Sequence, residues 1–263
     1  MKATRLILAA FLAMWTYAAG AQDFDDLEFE IEDDSDNGFH FTMDFVTKNV
    51  WRGGFVSSAA FEPELSYSIG GLRVGTWAAS PFNMNTDPYN ELDFFIEYNF
   101  GGGFGMQVYD YCWTLEDENG NPVFNYFGPY KDNHFLEVGL IYDWSEVCDN
   151  LPMSFNINTI VAGANRKAND KPGYTTYMEL ALEPSLKNLD MYLAVGAAIE
   201  DEESLMFSRK GGFNVVNLDF GLSHDFNIKD VATLSVNGHL ICNPTGVVDK
   251  GEAYVLGGVS ISF

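Results

Sequence analysis

Phe39-His40-Phe41-Thr42-Met43-Asp44-Phe45 sets apolar residues at its odd positions and mostly polar ones at its even positions. A period of two sends successive side chains to opposite faces of an extended chain, so this stretch reads as a strand with one greasy and one wet face. Downstream the pattern recurs through Phe61, Leu65, Tyr67 and Ile69; Leu72 and Val74; Leu92, Phe94, Ile96, Tyr98 and Phe100; and Phe104, Met106 and Val108. It continues at Leu136 to Trp144, Met153 to Ile157, Met178 to Leu182, Met191 to Ile199, Val216 to Leu222, Leu234 to Leu240 and Val255 to Phe263, which makes twelve strands.

Soluble sandwiches alternate too, so the composition of the second face matters. Here it repeatedly carries Glu62, Glu64, Asp93, Glu97, Glu137, Asn156, Asn158 and Glu179, opposite a face almost free of charge. Parity does not tell which face points outward; the two ends of the chain favour a membrane barrel. Lys2 and Arg5, an apolar run from Leu6 to Trp15 and the small exit Ala19-Gly20-Ala21 have the layout of a cleavable export signal over residues 1–21. At the other end Gly258, Ile261 and Phe263 match the spacing by which outer-membrane barrels show their last strand to the assembly machinery, although Leu256 stands where that pattern prefers a polar residue. The expectation is an all-β, transmembrane, up-and-down antiparallel barrel over 39–263, in outer-membrane lipid.

The connections alternate in length. Compact breaks at Gly70-Gly71, Gly101 to Gly103, Ser145 to Pro152, Ser185 to Asp190 and Asp225 to Asp230 are read as periplasmic turns. Longer polar stretches at Asn49 to Ala59, Pro81 to Tyr89, Thr114 to Asn133, Asn165 to Gly173, Asp201 to Gly212 and Cys242 to Glu252 are read as outer loops.

Loss of residues 1–21 removes two positive charges and takes the formal charge from −24 to −26, which disfavours nucleic acid as a partner. Within the leader 22–38, Asp23 to Asp36 holds nine acids and no base, a self-repelling extended tail. Its end, with Asp33, Ser35, Asn37, Gly38 and Asp44, partly imitates a calcium loop, but an acidic tail and a strand flank it instead of two helices. A solvated leader is the expectation, with no metal and no cofactor. Cys112, Cys148 and Cys242 are too few and too scattered for a disulfide framework.

Asp44 to Gly53 (DFVTKNVWRG), Pro63 to Tyr67 (PELSY), Gly71 to Ser80 (GLRVGTWAAS), Glu91-Leu92-Asp93, Tyr98 and Val108-Tyr109-Asp110-Tyr111 resemble the opening of the TorF-like porin family. The likeness implies an outer-membrane barrel, and porin activity only by analogy.

Taking strand one as rising from the periplasm, the descending strands carry Glu64, Asp93, Glu97, Glu137, Glu179 and Asp219 on the polar face, while the rising ones carry mostly neutral groups. The reading is a partial acidic belt in the lumen, favouring small solutes or cations, with Lys48, Arg52 and Arg73 as the bases of lumen and rim that could instead neutralise it. Arg52 is read either as a charge at the pore mouth or as the partner of a lumenal carboxylate, with Trp51 anchored at the membrane interface. Inward Gly75, Ala194 and Gly196 suggest spared volume; inward Trp77, Phe95, Tyr109, Tyr111 and Tyr192 take much of it back. The rivals are a non-conducting barrel serving as structural, adhesive or partner-binding scaffold, with the aromatic loop 114–133 as plug or contact surface, and an enzyme. Catalysis is not expected, since only His134, beside Asp132, and His239 fall near the outer rim and no motif marks a nucleophile.

Overall fold

The computed structural model describes residues 37–83, 89–148, 150–229, 231–246 and 253–263. The export signal, nearly all of the leader and the acids of the calcium-like stretch before Asn37 lie outside them.

Twelve wall strands follow one another: β1 (Gly38–Trp51), β2 (Gly54–Ile69), β3 (Leu72–Pro81), β4 (Glu91–Gly101), β5 (Phe104–Cys112), β6 (His134–Asp143), β7 (Met153–Gly163), β8 (Thr176–Leu182), β9 (Leu189–Glu200), β10 (Gly212–Ile228), β11 (Ala232–Cys242) and β12 (Ala253–Ser262). Each pairs antiparallel with its chain neighbours, and β12 closes the ring on β1, with Ser262 opposite Thr42 and Gly258 opposite Val46. Closure leaves no sheet edge unpaired, which a wall in lipid requires because no water is there to take up free backbone groups.

The outward face is apolar: Phe41, Phe45, Leu65, Phe94, Ile96, Tyr98, Val138, Leu140, Val195 and Leu240 are all exposed. Alternating with them, Asp44, Glu64, Arg73, Asp93, Glu97, Glu137, Asn158, Glu179, Asn217 and Asp219 are buried inside. This inverts a soluble barrel and settles the direction that parity leaves open.

The register departs from expectation in one hairpin. Asn49 to Ala59 is not a loop: β1 runs to Trp51, β2 starts at Gly54, and Arg52-Gly53 alone make the turn. Both have positive φ, 51° and 79°, as a type I′ turn demands. Asn-Gly is the usual signal for that turn, and Arg-Gly disguises it. β10 likewise runs through Asp225 to Ile228, beyond the break expected there. The other long connections, where described, lie like this turn at one end of the barrel.

Candidate functional site in the barrel interior and mouth

In the interior the expected acids come in separate clusters along the wall. Arg73 lies between Glu64 and Glu97, 3.0 Å from the latter, with its guanidinium 4.8 Å from the Phe95 ring, while the Tyr109 hydroxyl donates to Glu97. These groups meet because Arg73 sits opposite Glu97 on β4 and opposite Ser68 on β2, two same-face positions along from Glu64. Glu179 accepts from the Tyr177 and Tyr192 hydroxyls and, at 3.1 Å, from Asn217. Asp219 is 3.0 Å from His239 Nδ1. Asp93 accepts the Cys112 backbone N–H at 3.2 Å; its other oxygen is buried with no hydrogen-bond partner among the described residues.

The small inward residues do not leave open volume. A Cβ at Gly75 would lie 2.4 Å from the Phe95 ring, and one at Gly196 would lie 2.1 Å from the Tyr177 hydroxyl. Glycine here is the space into which the neighbouring aromatic packs. Phe95, Tyr109, Tyr111 and Tyr192 form one buried layer across the interior.

Above that layer the β1–β2 turn folds inward. Arg52 crosses the lumen to Glu137 on β6, five strands around the ring, in a two-bond ion pair of 2.5 and 2.7 Å. Its guanidinium also lies 4.7 Å from the Trp51 ring, 4.5 Å from Tyr177 and 5.8 Å from Phe207. Of the two readings of Arg52 the structure has the paired one. Trp51, however, is not an interface anchor: its ring packs inside against Tyr111, Phe135 and Phe207.

Phe207 arrives from the 201–211 loop, which the sequence reading gave no role. Glu200, at the end of β9, accepts the backbone N–H groups of Met206, Phe207 and Ser208 at 2.6, 2.8 and 2.8 Å and so turns that loop over the mouth. An apolar Met-Phe pair within an acidic loop was the available signal.

The 114–133 loop is not a plug. Asp110 lies opposite outward-facing Phe94 in the register and so points away from the lumen. Tyr126 and Tyr130 each donate to it at 2.7 Å, His134 Nδ1 is 3.0 Å away, and the Tyr126 ring packs on Phe94. The loop therefore lies against the outer wall, covering a carboxylate that would otherwise face lipid. His134 thus pairs with Asp110, not with adjacent Asp132, and the two expected rim histidines each end on an aspartate of their own.

Lys48 donates to the Val255 carbonyl at 3.0 Å. In β12, Gly258 faces Val46 and Ile261 faces Met43, while Phe263 stacks on Phe41 with centroids 6.3 Å apart. Leu256, the departure from the last-strand pattern, is buried against the inward apolar group of Val46, Val50, Ile241 and Tyr254. All three cysteines are free thiols. Of the calcium-like stretch, Asp44 belongs to the wall, and the Asn37 side chain accepts the Gly70 N–H at 2.9 Å.

A closed antiparallel wall, apolar outside and charged inside, defines a membrane-spanning β-barrel. Among solved structures the chain is similar to the KdgM porin, at 7% identity and TM-score 0.44 over 85% of this chain and 98% of that one. It is also similar to the NanC porin, at 9% and 0.43 over 86% and 98%, and to OprB of Pseudomonas putida, at 10% and 0.39 over 87% and 94%. No family model and no curated protein matches the chain. The resemblance to TorF-like porins thus stands on the residues quoted for it.

Proposed function

We propose that the chain is an outer-membrane channel that passes small solutes or cations through a narrow acidic lumen, as a porin of the TorF-like kind. The carrying observation is the charge imbalance of the interior. Asp44, Glu62, Glu64, Asp93, Glu97, Glu137, Glu179 and Asp219 are buried on the wall, whereas Arg52 and Arg73 are the buried guanidinium groups and no lysine is buried among the described residues. Carboxylates in excess of bases must recruit water and counter-cations or take up protons, and a confined surplus of one sign selects for the other. An apolar filling would serve a purely structural barrel at lower cost.

A specific observation favours a second reading. The Arg52–Glu137 pair spans the lumen above the aromatic layer, so passage requires that link to move. A barrel in which it never moves is a scaffold. Reconstitution in a planar bilayer separates the two. The channel reading expects conductance with a reversal potential of cation sign in a salt gradient. Anion preference, or silence in both the native chain and an Arg52→Ala variant of confirmed fold, refutes it.

A further inference from the structure

Beside the Arg52 link, at the long-loop end, lies a cavity of about 250 Å³ whose wall is Trp51, Tyr89, Tyr111, Trp113 and Phe135 with Glu91 and Val56. Four of the rings belong to one cluster: Trp113 and Phe135 are 4.4 Å apart by centroid, Trp51 and Tyr111 5.6 Å, and Trp51 and Phe135 6.4 Å. Ring faces carry negative charge density, and several rings about one space form the cage that holds alkylated ammonium groups.

The polar atoms on the wall narrow the chemistry further. The Tyr89 hydroxyl already donates to Glu91 at 2.5 Å, and that of Tyr111 to Glu137 at 3.1 Å. What remains is the Glu91 carboxylate and two indole N–H groups, that of Trp113 and that of Trp51, the latter buried without an acceptor among the described residues. A sugar needs several donors and acceptors for its hydroxyls; one carboxylate and two N–H groups are too few. An apolar body bearing one positive charge matches a wall of five rings and one acid. Glu62 and Asp93 lie within electrostatic reach of Glu91.

We infer that this vestibule is a binding site for a small organic cation of the alkylammonium class, with Glu91 as counter-ion and Trp51, Trp113, Tyr89 and Phe135 as the cage. One face of Trp51 is already covered by Arg52, so the ligand takes the other. The inference rests on the channel reading only for the consequence of occupancy, since binding itself needs no conduction.

The test uses the refolded full chain in detergent, with intrinsic tryptophan fluorescence as readout, because Trp51 and Trp113 stand in the wall. Choline is titrated against its uncharged isostere 3,3-dimethylbutan-1-ol, and N-acetylglucosamine serves as the polyhydroxyl probe. Saturable binding of choline, about tenfold or more tighter than the isostere, is expected, with Glu91→Gln removing most of that preference. Trp113→Leu, which spares the carboxylate, should weaken both ligands. Equal affinity for choline and isostere, no saturation by choline up to about 100 mM, or tighter binding of the sugar overturns the site. A Glu91→Gln chain that fails the gel-shift test of folding leaves Trp113→Leu and the isostere ratio to decide. A silent bilayer with intact choline binding would sink the channel alone; conductance without choline binding would sink this site alone.

Discussion

Arg52 occupies the left-handed region at φ 51°, where a side chain other than glycine, Asn or Asp is uncommon. The compensation is visible: two charge-assisted bonds to Glu137 and three aromatic faces hold the guanidinium. Backbone strain kept by strong side-chain contacts is what one finds where a position matters more than its local stability. Removing one partner of a buried pair leaves the other uncompensated, so Glu137→Leu, which strands Arg52, should cost about 3–5 kcal/mol. Arg52→Asn suits the turn better yet loses the same pair. If the tip closes the mouth, Arg52→Asn raises single-channel conductance while the fold survives; unchanged conductance in a folded, conducting barrel removes the tip from the permeation path. Gly53 offers a second probe. With φ at 79° and the Val216 carbonyl oxygen 2.0 Å from where a Cβ would sit, Gly53→Val cannot keep the tip in the lumen, and the variant should conduct more than native or refold poorly by heat-modifiable gel shift.

At the scale of elements, the 114–133 loop exists in its observed place because β5 turns a carboxylate outward. Burying Asp110 under Tyr126, Tyr130 and His134 spares it the lipid, and burial together with the bond to Asp110 pushes both tyrosine hydroxyls upward in pKa. Asp110→Ala should free the loop, and limited proteolysis should then cut within 118–129 faster than in the native chain; an unchanged rate would mean that Phe94 and the rings alone pin it. A second loop contact has a pH sign. Lys167 lies 2.5 Å from Asp201 and lowers its carboxyl pKa, so that contact is complete above the ordinary aspartate range and is lost as pH falls through the lowered value. Acid below the ordinary aspartate range should therefore loosen the 165–173 loop, which hydrogen exchange of Lys167 and Ala168 would show. The twelve strands were legible because burying one face and exposing the other writes a period of two into every segment. What could not be read was where an inward group ends. Trp51 has the composition of a rim anchor, and only the Arg52-Gly53 turn, shortened past recognition, aims it inward. Loop roles were hidden for the same reason: Phe207 and Tyr126 both sit in polar loops, and what separates them is Glu200 and Asp110, each remote from any local pattern.

For the whole molecule, charge is the property that distinguishes a channel from a filled cylinder. The wall clusters are uneven: Arg73 balances one of Glu64 and Glu97, Arg52 balances Glu137, and His239 faces Asp219, while Glu62 and Asp93 each keep one buried oxygen without a hydrogen-bond partner among the described residues. On the channel reading proposed above, a lumen built this way would hold cations near the β2–β4 side and disfavour anions there. Arg73→Gln sharpens the point, because it strips the charge from between two carboxylates without adding bulk. Unpaired, Glu64 and Glu97 then either draw in a counter-cation or take up a proton, and both responses can be read. Under a potassium chloride gradient near pH 8 the reversal potential of Arg73→Gln should move further toward the potassium limit than that of the native chain. The shift should shrink as pH falls and the two carboxyls protonate, and shrink again at about 1 M salt, where the screening length drops to roughly 3 Å. A reversal potential that does not move, in a conducting barrel that still shows the gel shift of a folded one, would mean that ions pass without sensing this wall and that the acidic interior is structural.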